Sequence, residues 1–227
     1  MDTQELERRA LICVNDYNGI IPYVEAFYIH SIIYSASRCL DSFYRYEALK
    51  DTKISADELI SIVQEAVGHS AALSRYFWPS PIGKKKQPNL TKMKEIRGDK
   101  LRRAFGLDNN SVLYNRDLRN AWEHFDERLD SYFLENDAGY FFPNCIIGSH
   151  KLADDPVGHI FKILDIEEEC LVLLGTKFFF SPIKESVKEV LAIAIQANEK
   201  GARLQPPTWL SSTKTDEEPK VTNPFNG

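Results

Sequence analysis

Arg119, Asn120 and His124 bring three chemically useful side-chain types together in one short stretch of this 227-residue chain. Arginine can hold a phosphate group with two parallel hydrogen bonds, and histidine can accept or release a proton near neutral pH. Asn120 is four residues from His124, so on a helix the amide lies on the same face and can orient the imidazole. This combination suits chemistry on an RNA phosphodiester that needs no metal ion.

A helical wheel separates these polar side chains from the expected core. Asn120 and His124 lie opposite the apolar face, so we expect both to be exposed. Arg119 lies on the flank, about 140° around the axis from His124. We therefore expect Arg119 to reach His124 best across a dimer, with a composite cleft between two copies. The apolar face consists of Leu118, Trp122, Phe125, Leu129 and Phe133.

A purely structural interpretation of the same residues remains open. Arg119 can pair with Glu123 one helical turn further on. Arg128 can pair in the same way with Glu127 or Asp130, which leaves the histidine as an ordinary exposed residue. Exposed pairs of this kind contribute only a few tenths of a kcal/mol.

The segment 84–103 is basic, although the net charge of the chain is −5. It contains nine basic residues and only two acidic ones. A basic strip on an acidic body can steer a polyanion to one place, but a solvated connector rich in lysine is the alternative. The RNA-contacting residues predicted on this basis are Lys84, Lys85, Lys86, Lys92, Lys94, Arg97, Lys100, Arg102 and Arg103.

Composition and the isolated cysteines favour a soluble cytoplasmic protein. A hydrophobic fraction of 43% and a charged fraction of 27% are ordinary for a globular domain. The N-terminus lacks the order of a signal peptide, and the apolar run 20–36 contains Glu25 and His30, which disfavours a membrane span. The four cysteines stand alone, without zinc spacing, so we expect no metal and no cofactor. The other histidines lack a carboxylate or cysteine at ligand spacing and are expected in the core or on the surface: His30, His69, His150 and His159.

Apolar periodicity predicts a mainly α fold for the first part of the chain. One helix is expected from Pro22 to about Leu49, and a second from a capping box at Ser55 to about Pro79. A basic connector follows over 80–103, with a short helix from about Asp99 to Phe105 that Gly106 ends. Another helix, capped within Asn109-Asn110-Ser111, is expected to contain the Arg-Asn-His residues and to run to about Glu135.

The pattern changes after residue 136. Tyr140–Ile147 is predicted as a strand, which Pro143 restricts to an edge. Apolar runs at 159–166 and 170–174 predict a β-hairpin, so the expected sheet is a small antiparallel hairpin or three-stranded sheet. Ser181 and Pro182 predict the N-cap and first turn of a C-terminal helix. The expected units are a helical bundle over 1–136, the hairpin and last helix over 137–204, and a disordered tail over 205–227.

The segment Arg119-Asn120-x-x-x-His124 resembles the signature of the HEPN domain family. In that family an arginine, an adjacent polar residue and a histidine four to six residues on lie late in a helical bundle. The resemblance covers about residues 22–135, and the long helices, including 67–79, fit such a bundle. It implies a metal-independent endoribonuclease that dimerises to join two motifs, often as a toxin neutralised by a partner protein.

The resemblance also implies a role for each residue. His124 would activate the ribose 2′-hydroxyl as general base or acid, Arg119 would stabilise the phosphorane, and Asn120 would position His124 or the phosphate. The expected partners are a second copy, RNA and an antitoxin or regulatory protein. Two alternatives remain: a HEPN-like bundle that binds nucleotide or RNA without cutting it, and a dimeric interaction protein whose polar helix face is a contact surface.

Overall fold

A computed structural model describes residues 2–80 and 86–204, and within these ranges the chain is mainly helical with one four-stranded sheet. Short 3₁₀ helices precede α2 and α5, and a third lies between β1 and β2. Lys84, Lys85 and the tail 205–227, which the sequence predicts to be disordered, lie outside the described residues. The helices and strands are α1 (Thr3–Tyr17), α2 (Glu25–Leu49), α3 (Ala56–Phe77), α4 (Pro88–Phe105), α5 (Asp117–Glu123), α6 (Phe125–Glu135), β1 (Tyr140–Ile147), β2 (Gly158–Asp165), β3 (Cys170–Leu173), β4 (Thr176–Phe179) and α7 (Ser181–Glu199).

The core forms around α2, which packs against α3 on one side and α7 on the other. The sheet contributes to this core through Leu164 and Leu171. Phe180, between β4 and α7, stacks on Phe43 of α2 with ring centroids 6.1 Å apart and meets the ring of Tyr46 edge-on at 5.5 Å. The hairpin and α7 therefore share one hydrophobic cluster with the helices that precede them. No helix within the described ranges is both long and apolar enough to cross a bilayer.

The predicted caps of α3 and α4 are confirmed. The Ser55 hydroxyl accepts a hydrogen bond from the backbone N–H of Glu58 at 3.2 Å. Gly106 ends α4 in the left-handed conformation, with φ at 65°.

The start of α4 differs from the prediction, because helix begins at Pro88 where the sequence predicts a connector as far as Asp99. No side chain next to Pro88 caps this helix. The carboxylate of Glu7 in α1 instead accepts hydrogen bonds from the backbone N–H groups of Asn89 and Leu90, at 2.8 and 3.1 Å. A cap supplied by a distant helix leaves no local signal in the sequence. The helix α1 itself was not predicted.

The sheet also differs from the predicted antiparallel hairpin or three-stranded arrangement. Its order is β1-β2-β3-β4, with β1 parallel to β2 and the other neighbours antiparallel. The hairpin of β2 and β3 is confirmed, and β1 is an edge strand with a register shift beside Pro143. The fourth strand follows a tight turn at Leu174 and Gly175, both with positive φ. Ser181 is the first helical residue of α7 rather than its N-cap, which is Phe180.

Gly98 on α4 is expected to tolerate no side chain. A Cβ at this position would lie 2.6 Å from the carbonyl oxygen of Phe77 and 2.7 Å from Cδ of Pro79. We expect Gly98→Ala to lower the free energy of unfolding by about 1–3 kcal/mol in urea titrations, because α4 must move away from the end of α3. Gly68 on α3 is the matched control, since a Cβ there meets no atom within 4 Å. Gly68→Ala should raise the same free energy by about 0.5–1 kcal/mol. A Gly98→Ala variant as stable as wild type would contradict this packing.

Glu47 on α2 is expected to make the free energy of unfolding depend on pH below about 4.5. A hydrogen bond from Lys184 of α7, at 2.7 Å, lowers the pKa of Glu47 to about 2, and Lys50 contributes at 2.9 Å. Because the folded-state pKa is depressed, this contribution is complete above the ordinary pKa of 4.5 and is lost as the pH falls toward 2. We expect Glu47→Gln to lower the free energy of unfolding by about 1 kcal/mol at neutral pH, and this difference to shrink as the pH falls below 4.5 and to vanish below pH 2. Glu189→Gln, at an exposed position of α7, should show no such pH-dependent difference.

Candidate active site

His124 lies at a break between two helices. The sequence predicts one continuous helix to Glu135, but α5 ends and α6 begins at His124, whose φ of −112° and ψ of 35° are not helical. Its backbone N–H still donates to the backbone carbonyl of Asn120 at 3.0 Å. Its own carbonyl accepts a hydrogen bond from the backbone N–H of Arg128 at 3.1 Å. The helical wheel therefore holds only as far as His124. Beyond it, α6 contains no buried residue, and Phe133 is 45% exposed.

A cleft of about 670 Å³ lies between α5, the first turn of α6 and strand β4. The helices contribute Asn120, His124 and Arg128 to its lining, and β4 contributes residues 176–179. Asn120 and His124 are both exposed, as the helical wheel predicts. The amide, the imidazole and a guanidinium thus line one open cleft.

Arg119 lies on the other side of α5 and does not line this cleft. Its guanidinium holds Glu123 with two hydrogen bonds, at 2.9 and 2.5 Å, so the ion pair of the structural interpretation is present. This hydrogen bond lowers the pKa of Glu123. Within one protomer the structure therefore brings Asn120 and His124 together and leaves Arg119 apart.

Arg128 is the arginine that lines the cleft within one protomer. It does not pair with Glu127 or Asp130: its Nη2 lies 3.4 Å from Oγ1 of Thr176 in β4. Within residues 2–80 and 86–204, no carboxylate lies within salt-bridge distance of Arg128. The carboxylate of the adjacent Glu127 instead lies 3.5 Å from Nδ1 of His124. The i, i+4 spacing from His124 was the available sequence signal for this residue.

Lys177, the other cation of the cleft, is already neutralised. Its ammonium lies 2.6 and 2.8 Å from the two carboxylate oxygens of Asp154. Arg128 is therefore the better placed of the two to meet an added anion.

The described members of the predicted basic strip do not line this cleft. They lie on or just before α4. Several are engaged within the fold: Lys100 pairs with the buried Glu25 at 2.8 Å, and Arg102 donates to the carbonyl of Phe77 at 2.5 Å. Arg97 lies over the ring of Tyr28. Contact between these residues and RNA stays a prediction.

Two other histidines have partners that were not visible in the sequence. His159 is buried, with Nδ1 2.8 Å from the Tyr132 hydroxyl and Nε2 2.9 Å from the carbonyl of Ala138. His150 lies 2.7 Å from a carboxylate oxygen of Asp165, although the sequence suggested no carboxylate partner. Burial would raise the pKa of Asp165, but hydrogen bonds from His150 and from the backbone at residues 167 and 168 lower it. This pair joins the 3₁₀ helix His150–Asp154 to the β2–β3 turn.

The described part of the chain holds no group of three or more His, Cys, Asp or Glu side chains that could bind a metal ion. Comparison of the chain with protein-family models, curated proteins and solved structures gives no match. The assignment of a function therefore depends on the chemistry of the cleft and of the residues that line it.

Proposed function

We propose that the protein is a metal-independent endoribonuclease of HEPN type that acts as a toxin or defence effector in the cytoplasm. The observation that supports this proposal is the cleft in which Asn120, His124 and Arg128 meet. It offers a histidine that can act as a general base, an amide to orient it and a cation without a carboxylate partner among the described residues.

The reaction follows from these three side chains. His124 accepts the proton of a ribose 2′-hydroxyl while the 2′-oxygen attacks the adjacent phosphorus. The bond from phosphorus to the 5′-oxygen breaks, that oxygen takes a proton from water, and the upstream fragment ends in a 2′,3′-cyclic phosphate. Arg128 holds the charge that develops on the phosphorane, and Asn120 orients the imidazole. DNA is not cut, because it lacks the attacking hydroxyl.

A homodimer extends this site. Arg119 faces away from the cleft of its own protomer, so we assign it to the cleft of a second copy, where it would stabilise the same phosphorane. RNA and an antitoxin or regulatory protein are the other proposed partners.

RNA or nucleotide binding without cleavage is the second candidate function. The observation that favours it is the bidentate ion pair between Arg119 and Glu123, which occupies the guanidinium. If this pair persists in the complex, Arg119 adds nothing to the stabilisation of a phosphorane, and the cleft has only Arg128 to hold the RNA backbone.

The test is incubation of purified protein with a labelled RNA in the presence of a chelator. We expect fragments with 2′,3′-cyclic phosphate ends, and no cleavage of the same sequence as DNA or of an RNA with one 2′-deoxy substitution at the cut position. Saturable binding without cleavage would support the second candidate. The absence of both binding and cleavage would reject both candidate functions.

A further inference from the structure

A second, smaller cavity lies between α3 and the start of α5, next to the cleft. Its volume is about 30 Å³. One water molecule needs about 10–15 Å³ by the same measure, so the cavity has room for two or three oxygen-sized groups. Ser74, Arg116 and Arg119 contribute to its lining, and the exposed Asn115 lies at its edge. We refer to it as the Ser74 cavity.

The hydroxyl of Ser74 lacks a hydrogen-bond partner in the described structure. Ser74 is only 2% exposed, and its Oγ is a buried polar atom without a donor or acceptor in reach. A buried hydroxyl in this state loses its hydration without compensation. Ser70 lines the same cavity but differs, because its hydroxyl donates to the carbonyl of Val67 at 2.8 Å. Ser74 thus places an unpartnered hydroxyl in the wall of the cavity.

Positive charge is crowded around the Ser74 cavity. Burial lowers the pKa of Arg116, and the charges of Arg119 and Arg75 lower it further. Among the ion pairs of the described residues, these three arginines have one carboxylate partner, Glu123. The guanidinium of Arg116 donates one hydrogen bond to the carbonyl of Trp78, at 2.5 Å, which leaves its other N–H groups available. An anion in the cavity would relieve this crowding.

We propose that the Ser74 cavity binds one phosphate group, with the Ser74 hydroxyl donating a hydrogen bond and Arg116 supplying the positive charge. The group is either inorganic phosphate or the terminal phosphate of an RNA, and the RNA source rests on the proposed function. A terminal phosphate has three free oxygens to insert, whereas an internal phosphodiester has two and would need space for chain in both directions. The small volume therefore favours a terminal group over an internal one.

The first test measures the affinity of the full chain for inorganic phosphate by titration calorimetry. We expect saturable binding that Ser74→Ala weakens about tenfold, because a hydrogen bond to a charged group contributes at least this factor. Arg116→Gln should weaken it by at least as much. Ser70→Ala is the matched control and should bind as wild type, since its hydroxyl proton is already used. Ser74→Ala removes a hydroxyl that has no partner, so we expect this variant to fold.

The second test separates the two sources of the phosphate. A short 2′-O-methyl oligoribonucleotide, which cannot be cut, is compared with and without a terminal phosphate at each end. Tighter binding of a phosphorylated form by wild type, lost in Ser74→Ala, assigns the cavity to RNA ends; equal binding of all forms assigns it to inorganic phosphate. The proposal is overturned if wild type shows no saturable phosphate binding or if Ser74→Ala binds phosphate as tightly. Neither measurement depends on cleavage. Failure of the phosphate proposal would therefore leave the nuclease proposal standing, and an absence of cleavage would leave the binding of inorganic phosphate standing.

Discussion

Replacing His124 by alanine is expected to lower the rate of RNA cleavage by about 10²–10⁴-fold, the usual contribution of a positioned general base. Among the residues that line the cleft, His124 is the one histidine, the side-chain type best suited to act as a general base. Its side chain is 57% exposed, so its removal should change the free energy of unfolding by less than about 0.5 kcal/mol. Single-turnover cleavage of a labelled RNA measures the loss directly.

The matched control for this variant is His30→Ala. His30 is also an exposed histidine, but it lies on α2 and does not line the cleft. Its variant should cleave at the wild-type rate. Equal rates for wild type and His124→Ala would remove His124 from the mechanism, whatever the protein binds.

Mixing two inactive variants is expected to restore cleavage when their missing residues act in different protomers. If Arg119 serves the cleft of the second copy, an Arg119→Ala protomer paired with a His124→Ala protomer retains one intact cleft. Half of the dimers in an equal mixture are mixed, so we expect about a quarter of the wild-type activity. The measurement is the cleavage rate after the two purified variants are denatured together and refolded.

Arg128 provides the opposite expectation, because it shares the cleft with His124 in one protomer. Arg128→Ala alone should lower the rate by about 10²–10³-fold, as the loss of one preorganised charge does. A mixture of Arg128→Ala and His124→Ala should stay inactive, since every cleft then lacks one residue. Restored activity in this mixture would place Arg128 and His124 in different sites. Failure of the Arg119 mixture alone would limit the mechanism to a single protomer.

The parts of the fold that sequence predicted well have short-range causes. The period of apolar residues predicts α2 and α3, a local hydroxyl marks the start of α3, and Gly106 marks the end of α4. The hairpin of β2 and β3 follows from two apolar runs around an acidic turn. The exposure of Asn120 and His124 also has a short-range cause, because both lie opposite the apolar face of α5.

The parts that sequence missed depend on contacts between distant residues. The carboxylate of Glu7 caps α4 from another helix, and Asp165 fixes His150 from the next strand. The break at His124 cannot be read from a helical wheel, because the wheel assumes a continuous helix. Once the break is present, Arg128 lies beside Thr176 of β4, and this strand was not predicted. The separation of Arg119 from the cleft was thus predictable, whereas the cleft wall formed by β4 was not.

The junction at His124 also divides the candidate site between two units of unequal resistance to local unfolding. Asn120 belongs to α5, which buries Leu118 and Ala121, whereas Arg128 belongs to α6, which buries no residue. Segments with few buried contacts open at free energies far below that of global unfolding. The amide protons of Phe125–Glu135 should therefore exchange with deuterium before those of α2 and α3. Opening of α6 alone would take Arg128 out of the cleft and leave the core folded, so a molecule that holds or releases α6 could control the site without touching His124.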